Sequence, residues 1–304
     1  MDGILNIVKG PGPTSFSVVS RVKHLLNERH AGHGGTLDPM AAGLLPVFLG
    51  QATRVAEYLM EYPKTYCASD ILGVETDSYD ARGKIVSQRD ASNISLLQIE
   101  AILPRFRGEI VQVPPAYSAL KREGQPLYKL ARRGETVEVE PRPVIVYNLD
   151  IVFYEPPELA LVVECSKGTY IRSIAHDIGE ALGCGAHLAS LVRTAYGPFN
   201  IKDAVTLEQL EKSAADDSVA SLIQPLDAVL TLWDKVILTD EQVEAVRCGV
   251  WLPLEGQEGK TRLRGYDGAG RLVALLALDE EKKLWRPRKV FESSLDKSED
   301  ASHS

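Results

Sequence analysis

Asp38 is the residue whose type and setting point most directly to chemistry. It stands in Gly32-His33-Gly34-Gly35-Thr36-Leu37-Asp38-Pro39-Met40-Ala41-Ala42-Gly43-Leu44-Leu45-Pro46, a glycine-rich loop running into an apolar stretch. Glycines expose backbone and hold dihedrals closed to other residues. The run Leu44-Leu45-Pro46-Val47-Phe48-Leu49 anchors the loop in a core. A charged side chain on a rigid, buried support is a common way to hold a reacting group. The competing reading is an Asx-type turn that leads into a strand.

Two further stretches carry suitable side chains. Lys64-Thr65-Tyr66 opens a strand, and Ser166-Lys167-Gly168-Thr169-Tyr170-Ile171-Arg172 leads from a strand into a helix. An arginine beside a carboxylate would keep it ionised and position it. Tyrosine rings could stack on a base or meet a sugar. Taken singly, Tyr66 in a strand is more often a packing residue and Arg172 on a helix more often a solvated surface charge. Other chemistries lack their signatures. His24, His30, His33, His176 and His187 show no metal-site spacing with carboxylates. There is no Gly-x-Ser-x-Gly turn, no phosphate loop ending in Gly-Lys-Ser/Thr and no Gly-x-Gly-x-x-Gly after a strand. Cys67, Cys165, Cys184 and Cys248 are scattered, which reads as reduced thiols rather than disulfides or a zinc site.

The elements that must position these residues are legible in outline. Residues 3–9 read as a strand, broken by Gly10-Pro11-Gly12-Pro13. Thr14 or Ser15 then caps a helix with Val18, Val19, Val22, Leu25 and Leu26 on one face. Ala52–Met60 reads as a helix and Thr65–Leu72 as a strand. Gly73–Gly83 is turn-rich and polar, with a short strand at Lys84–Ser87. Leu96–Leu103 looks helical and Glu109–Val113 extended. Residues 114–142 are long for a connection and rich in Tyr, Lys and Arg, the mark of a functional or disordered loop. Val144–Phe153 and Leu159–Cys165 alternate like antiparallel strands. Thr169–Leu182 forms a helix ended by Gly183, followed by a strand at Leu188–Tyr196 and a short helix at Thr206–Lys212. From Trp233 the texture changes to short strands (Val236–Leu238, Lys260–Tyr266, Arg271–Ala277) around one helix (Asp240–Cys248), which predicts a small β-barrel.

Length and composition set the bounds. A chain of 304 residues suggests about two domains. Apolar residues at 44% and charged residues at 25% match a soluble globular protein. No apolar run approaches the ~18 residues needed to span a bilayer. Met1–Leu5 lacks a basic stretch followed by an apolar one, so a cytoplasmic location is expected. The net charge of −8 hides an uneven distribution. Residues 117–133 carry Lys121, Arg122, Lys129, Arg132 and Arg133 against Glu123, a local +4. The last fourteen residues carry Glu292, Asp296, Glu299 and Asp300 against Lys297, a local −3.

In combination these stretches resemble the bacterial TruB family, the tRNA pseudouridine-55 synthases. The Asp38 stretch is similar to that family's motif around its nucleophilic aspartate, and Lys64-Thr65-Tyr66 to its second motif. Val113-Pro114-Pro115-Ala116-Tyr117-Ser118-Ala119-Leu120-Lys121 resembles the start of its RNA-gripping thumb loop. Cys165 to Ser173 resembles its arginine motif, and Gly185-Ala186-His187-Leu188 through Leu191-Val192-Arg193-Thr194 the segment that follows. The resemblance spans about residues 1–230, in order. It departs at Val8-Lys9-Gly10, where the family has Asp-Lys-Pro, and at Gly34 and Ala42, where Thr is commoner.

The resemblance implies an α+β fold: a mixed, mainly antiparallel catalytic sheet over 1–230, with a thumb at about 114–142. It implies a PUA-like RNA-binding module at 231–291, and 292–304 reads as a disordered acidic tail. By the same resemblance Asp38 is the nucleophile, Arg172 its ion-pair partner, and Tyr66 stacks near the target uracil as a candidate proton acceptor. Tyr170 and Leu191 line the pocket, and His33 fills space left in the RNA by flipped bases. Lys121, Arg122, Lys129, Arg132 and Arg133 contact phosphates. The substrate is the T-stem-loop of tRNA, with no cofactor, metal, membrane or obligatory protein partner. A guide-RNA-dependent relative and a tRNA-binding or folding module are the rival readings.

Overall fold

A computed structural model of the chain describes residues 1–115, 117, 121–122, 125–126 and 139–291. The strands are β1 (Gly3–Lys9), β2 (Ala31–His33), β3 (Ala42–Leu49), β4 (Lys64–Leu72), β5 (Val74–Thr76), β6 (Ile85–Gln88), β7 (Gly108–Gln112), β8 (Lys121–Arg122), β9 (Gln125–Pro126), β10 (Arg142–Glu155), β11 (Glu158–Cys165), β12 (Ala186–Tyr196), β13 (Phe199–Asn200), β14 (Ile223–Gln224), β15 (Asp234–Ile237), β16 (Arg262–Tyr266), β17 (Leu272–Asp279) and β18 (Leu284–Val290).

Ten of them form one sheet in the order β14-β1-β3-β12-β4-β11-β10-β7, with β2 on β3 and β13 on β12. Among the described residues every pairing in it is antiparallel except β12 with β3, which run parallel through Val192↔Ala42 and Arg193↔Gly43. Gly43 makes that join possible. Its φ is 104°, and a Cβ there would lie 2.3 Å from the Arg193 carbonyl oxygen.

β1 and β3 bury both faces, which explains their nearly continuous apolar runs. Leu5, Ile7, Leu45, Val47 and Leu49 share one core with Val18, Val19 and Val22 of the helix Ser15–Leu26 and Ile171, Ile174 and Ile178 of the helix Ile171–Leu182. Ile4, Leu44 and Phe48 alternate to the other face and pack with Leu59, Tyr196, Leu275 and Phe291. The first helix is capped as expected, Thr14 accepting from the Ser17 N–H, and ends at Asn27 in the left-handed conformation. No helix among the described residues is long and apolar enough to cross a membrane.

Two expectations need correction. Ala52–Met60 is a 3₁₀ stretch, Gly50–Val55, followed by one α-turn, Ala56–Leu59. The Thr53 hydroxyl donates to the Gly50 carbonyl at 2.7 Å, tightening the turn. The C-terminal part is no closed barrel among the described residues. It is a four-stranded sheet, β15-β16-β17-β18, with the helix Asp240–Arg247. Leu275 and Phe291 join the large sheet's core while Leu263, Leu276 and Trp285 pack with Val243 and Val246. With both faces already covered, the sheet buries its apolar side chains without closing on itself. The reading of residues 292–304 as disordered falls outside the described residues.

Asp70 is an expensive feature of β4. It is buried and its Oδ1 has no hydrogen-bond partner. Burial pushes its carboxyl up to about 8. Between the unfolded-chain value, about 3.9, and that value, the folded state keeps a proton that the unfolded chain has released. Stability therefore falls as pH rises through this window. Asp70→Asn should flatten the slope and raise stability at pH 7 by up to about 4 kcal/mol. Urea unfolding midpoints measured from pH 5 to 8 check this, and parallel profiles for the two proteins would contradict it.

Candidate active site

The Asp38 loop is held from three sides. The Leu37 N–H donates to Ser15 Oγ at 2.9 Å, and that hydroxyl donates to the Leu37 carbonyl at 3.2 Å. Lys9 Nζ donates to the Ala41 carbonyl at 2.6 Å and to the Gly10 carbonyl at 2.9 Å. Arg193 Nε donates to the Leu44 carbonyl at 2.8 Å and its Nη2 to the Gly35 carbonyl at 3.2 Å. Lys9 and Arg193 are fully buried. Burial depresses Lys9 and Arg193 adds to this, while Asp38 pulls the other way. The loop therefore sits on buried cations rather than on its own turn chemistry.

Arg172 enters from the start of the helix Ile171–Leu182. The side-chain amide of Gln112 fixes that start: the Tyr170 N–H donates to Gln112 Oε1 at 2.8 Å, and Nε2 donates to the Tyr170 carbonyl at 3.0 Å. Ser173 Oγ donates to the Val113 carbonyl at 2.8 Å. Arg172 Nη2 lies 2.8 Å from Asp38 Oδ2 and Nη1 lies 3.5 Å from Asp80 Oδ2. Nη1 also donates to the Tyr117 carbonyl at 3.1 Å and the Ser78 carbonyl at 3.4 Å. The Arg172 side chain is 5% exposed and that of Asp80 8%, against 42% for Asp38. Arg172 is thus a buried anchor, not a solvated charge, and Asp38 is the carboxylate that a ligand can reach.

A cavity of about 170 Å³ lies over this pair, lined by Asp38, Tyr66, Tyr170, Arg172 and Leu191 together with Thr36, Leu37, Ala41, Thr169 and Ile171. The topology explains the meeting. β12 lies between β3 and β4: Val192, next to Leu191, pairs with Ala42 just past the Asp38 loop, and Arg193 pairs with Tyr66 of β4. Burial pushes the Tyr66 phenol up, Arg193 opposing through charge and a hydrogen bond, so a neutral phenol faces the cavity at neutral pH. Arg142 lies 5.0 Å from the centre of the Tyr170 ring.

Five of the residues singled out in the sequence therefore meet. His33 does not line the cavity. It sits half-buried on β2, accepting the Gly35 N–H on Nδ1 at 3.3 Å. Burial and Arg193 hold its imidazole below the usual histidine range, and hence neutral at pH 7. Lys121 and Arg122 pair with Gln125 and Pro126 as backbone. The side chains of Lys121 and Arg122, and Lys129, Arg132 and Arg133 altogether, lie outside the described residues. Sequence reasoning missed Asp80, Gln112 and the supporting role of Arg193. Asp80 lay in a stretch read as polar turn; its one signal is a run of Thr76, Ser78 and Asp80 that reads as exposed and is in fact buried.

The chain is similar to known proteins over nearly its whole length. The model of the TruB family pseudouridylate synthase N-terminal domain matches residues 23–171, and that of the tRNA pseudouridylate synthase B C-terminal domain matches 172–231. A tRNA pseudouridine synthase B of Dehalococcoides mccartyi strain 195 is 43% identical over 291 residues, 96% of this chain and 97% of that protein. That of Stutzerimonas stutzeri is 41% identical over 301 residues, 96% of each. Among solved structures, a chain of a Cbf5-Nop10-Gar1 complex superposes with a TM-score of 0.73 at 31% identity, covering 95% of this chain and 85% of that one. One from an H/ACA RNP bound to a substrate RNA containing 2′-deoxyuridine gives 0.72 at 28%, covering 96% and 85%. With family models matching residues 23–231 and 41–43% identity to these relatives over nearly the whole chain, the chain belongs to the TruB family of pseudouridylate synthases.

Proposed function

We propose that this pseudouridine synthase acts on uridine 55 in the T-loop of tRNA, with Asp38 as nucleophile and the target base flipped into the cavity. The observation that carries the reading is the asymmetry of the ion pair. The guanidinium is buried and bonded on several sides, whereas its carboxylate partner opens to the cavity.

Pseudouridylation breaks a C–N glycosidic bond and remakes it as C–C on the same uracil, with no net redox change and no group lost. The chain's task is to detach, rotate and re-attach one base. Asp38 supplies the carboxylate, and Arg172 holds it by a charge-assisted bond. A carboxylate cannot reach a base within its stack, and extrusion costs a few kcal/mol. Stacking on Tyr66 returns about 1–3 kcal/mol. Leu191 and Tyr170 complete the walls. His33, outside the cavity, fills the space the flipped bases leave in the RNA.

The basic segment 117–133 serves as a thumb, and its Tyr117 carbonyl already reaches Arg172. Reversing the charges of Lys121, Arg122, Lys129, Arg132 and Arg133 should weaken tRNA binding and flatten its dependence on salt; an unchanged slope would argue against the grip. We read residues 231–291 as a PUA-like module that adds RNA contacts. Lys282 and Arg286 lie 4.2 Å and 5.8 Å from the centre of the Trp251 ring, a cationic aromatic surface suited to nucleic acid.

The test is activity of the purified protein on an unmodified T-stem-loop RNA. Pseudouridine at position 55 without added guide RNA or protein is expected. A requirement for a guide would favour the second reading, to which the likeness to chains from a Cbf5-Nop10-Gar1 complex and an H/ACA RNP lends weight.

A further inference from the structure

The turn that carries Asp80 is held by an aromatic stack that the site described above does not use. Tyr79 has φ 62°, a left-handed conformation that bulky L-residues rarely adopt. Such a conformation persists where its surroundings over-determine it. Here the Leu188 N–H donates to the Tyr79 carbonyl at 3.0 Å, and the Ala81 N–H donates to the Leu188 carbonyl at 2.9 Å. The Tyr79 ring lies flat on the imidazole of His176, centroids 3.9 Å apart and planes 9° from parallel.

His176 is four residues beyond Arg172, and this spacing places the two on one face of the helix. Both sequence neighbours of Tyr79 reach Arg172 Nη1, Ser78 through its carbonyl at 3.4 Å and Asp80 through Oδ2 at 3.5 Å. The turn thus meets the helix at two points one helical turn apart, a guanidinium contact and a ring contact. His176 Nδ1 is buried without a hydrogen-bond partner, so the imidazole contributes its ring face here. Arg89 bridges Glu75 and Glu180 beside this turn, at 3.2 Å and 3.6 Å, so the surroundings of the stack are themselves tied into the protein. The stack therefore faces the protein's own framework rather than the substrate.

We propose that Tyr79 and His176 are positioning residues for the Asp38 reaction: their stack holds the strained 78–80 turn so that Ser78 and Asp80 fix the guanidinium that holds Asp38. This rests on the reading of Asp38 as nucleophile. The test is single-turnover and steady-state kinetics on full-length tRNA with Tyr79→Gly, Tyr79→Phe and His176→Ala, each also combined with Asp80→Asn. Glycine tolerates φ 62° while removing the ring. Tyr79→Gly should lower kcat about tenfold to a hundredfold, the scale of a small misplacement near the chemistry, with KM for tRNA within about twofold. Tyr79→Phe keeps the ring and should recover most of the rate. In the Asp80→Asn background the loss from Tyr79→Gly should largely vanish, because the turn no longer has a carboxylate to deliver. His176→Ala carries the same comparison should Tyr79→Gly not fold. Unchanged kcat, full additivity with Asp80→Asn, or a rise in KM alone would overturn the proposal. Normal turnover by Asp38→Asn would instead overturn the reading beneath it.

Discussion

Asp38→Asn is expected to abolish pseudouridine formation while tRNA affinity stays within a few-fold of wild type. The carboxamide keeps the size of the side chain but loses its charge and its nucleophilic oxygen. Loss of a nucleophile typically costs about 10⁴- to 10⁶-fold in turnover. Binding should survive because the groups assigned to gripping RNA lie elsewhere, in the thumb and around the Trp251 surface. Folding should survive as well. The Asp38 side chain is 42% exposed, and an ion pair open to water on one side contributes at most about 1 kcal/mol. Pseudouridine mapping of treated tRNA, with filter binding in parallel, reads both quantities. Substantial residual pseudouridine would remove Asp38 from the role of nucleophile.

Arg172→Met should behave differently, losing activity and stability together. Methionine fills part of the space, but the buried carboxylate of Asp80 then faces it with no countercharge. Asp80 would keep the Ser78 Oγ–H at 2.8 Å and the Arg82 N–H at 3.0 Å, yet lose the guanidinium. Removing one partner of a buried pair costs about 3–5 kcal/mol. The carbonyls of Ser78 and Tyr117 lose their donor as well. Turnover should fall at least about a hundredfold, because Asp38 is no longer held at the cavity. Asp80→Asn in the Arg172→Met background should restore much of the stability and none of the activity, since it neutralises the stranded charge without replacing the anchor. Urea unfolding and single-turnover rates on the two variants separate these effects. Wild-type stability in Arg172→Met would show that Asp80 is adequately satisfied by its other donors.

How far local sequence carries can be judged element by element. The helix Ser15–Leu26 follows from the Thr14 cap and the Val18, Val19, Val22 stripe, and both appear as expected. β10 and β11 follow from their alternation, and Gly183 ends the helix Ile171–Leu182 in the left-handed conformation. β18 was not foreseen. Its sequence Leu284-Trp285-Arg286-Pro287-Arg288-Lys289-Val290 is dominated by cations and broken by a proline, which a sheet accommodates on an edge strand such as this one.

The resemblance of five motifs, in a fixed order, to one family was enough to group Asp38, Tyr66, Tyr170, Arg172 and Leu191 as one set. Their burial and partners were another matter. That Arg172 is buried, that Asp80 shares it, and that Lys9 and Arg193 brace the loop beneath Asp38 follow from contacts between residues far apart in the chain. The parallel join of Arg193 with Gly43 links strands about 150 residues apart. Periodicity and caps act over one or two helical turns, so they specify elements. Strand order and register decide which charges lose their water together, and only the folded chain brings those charges into one low-dielectric place.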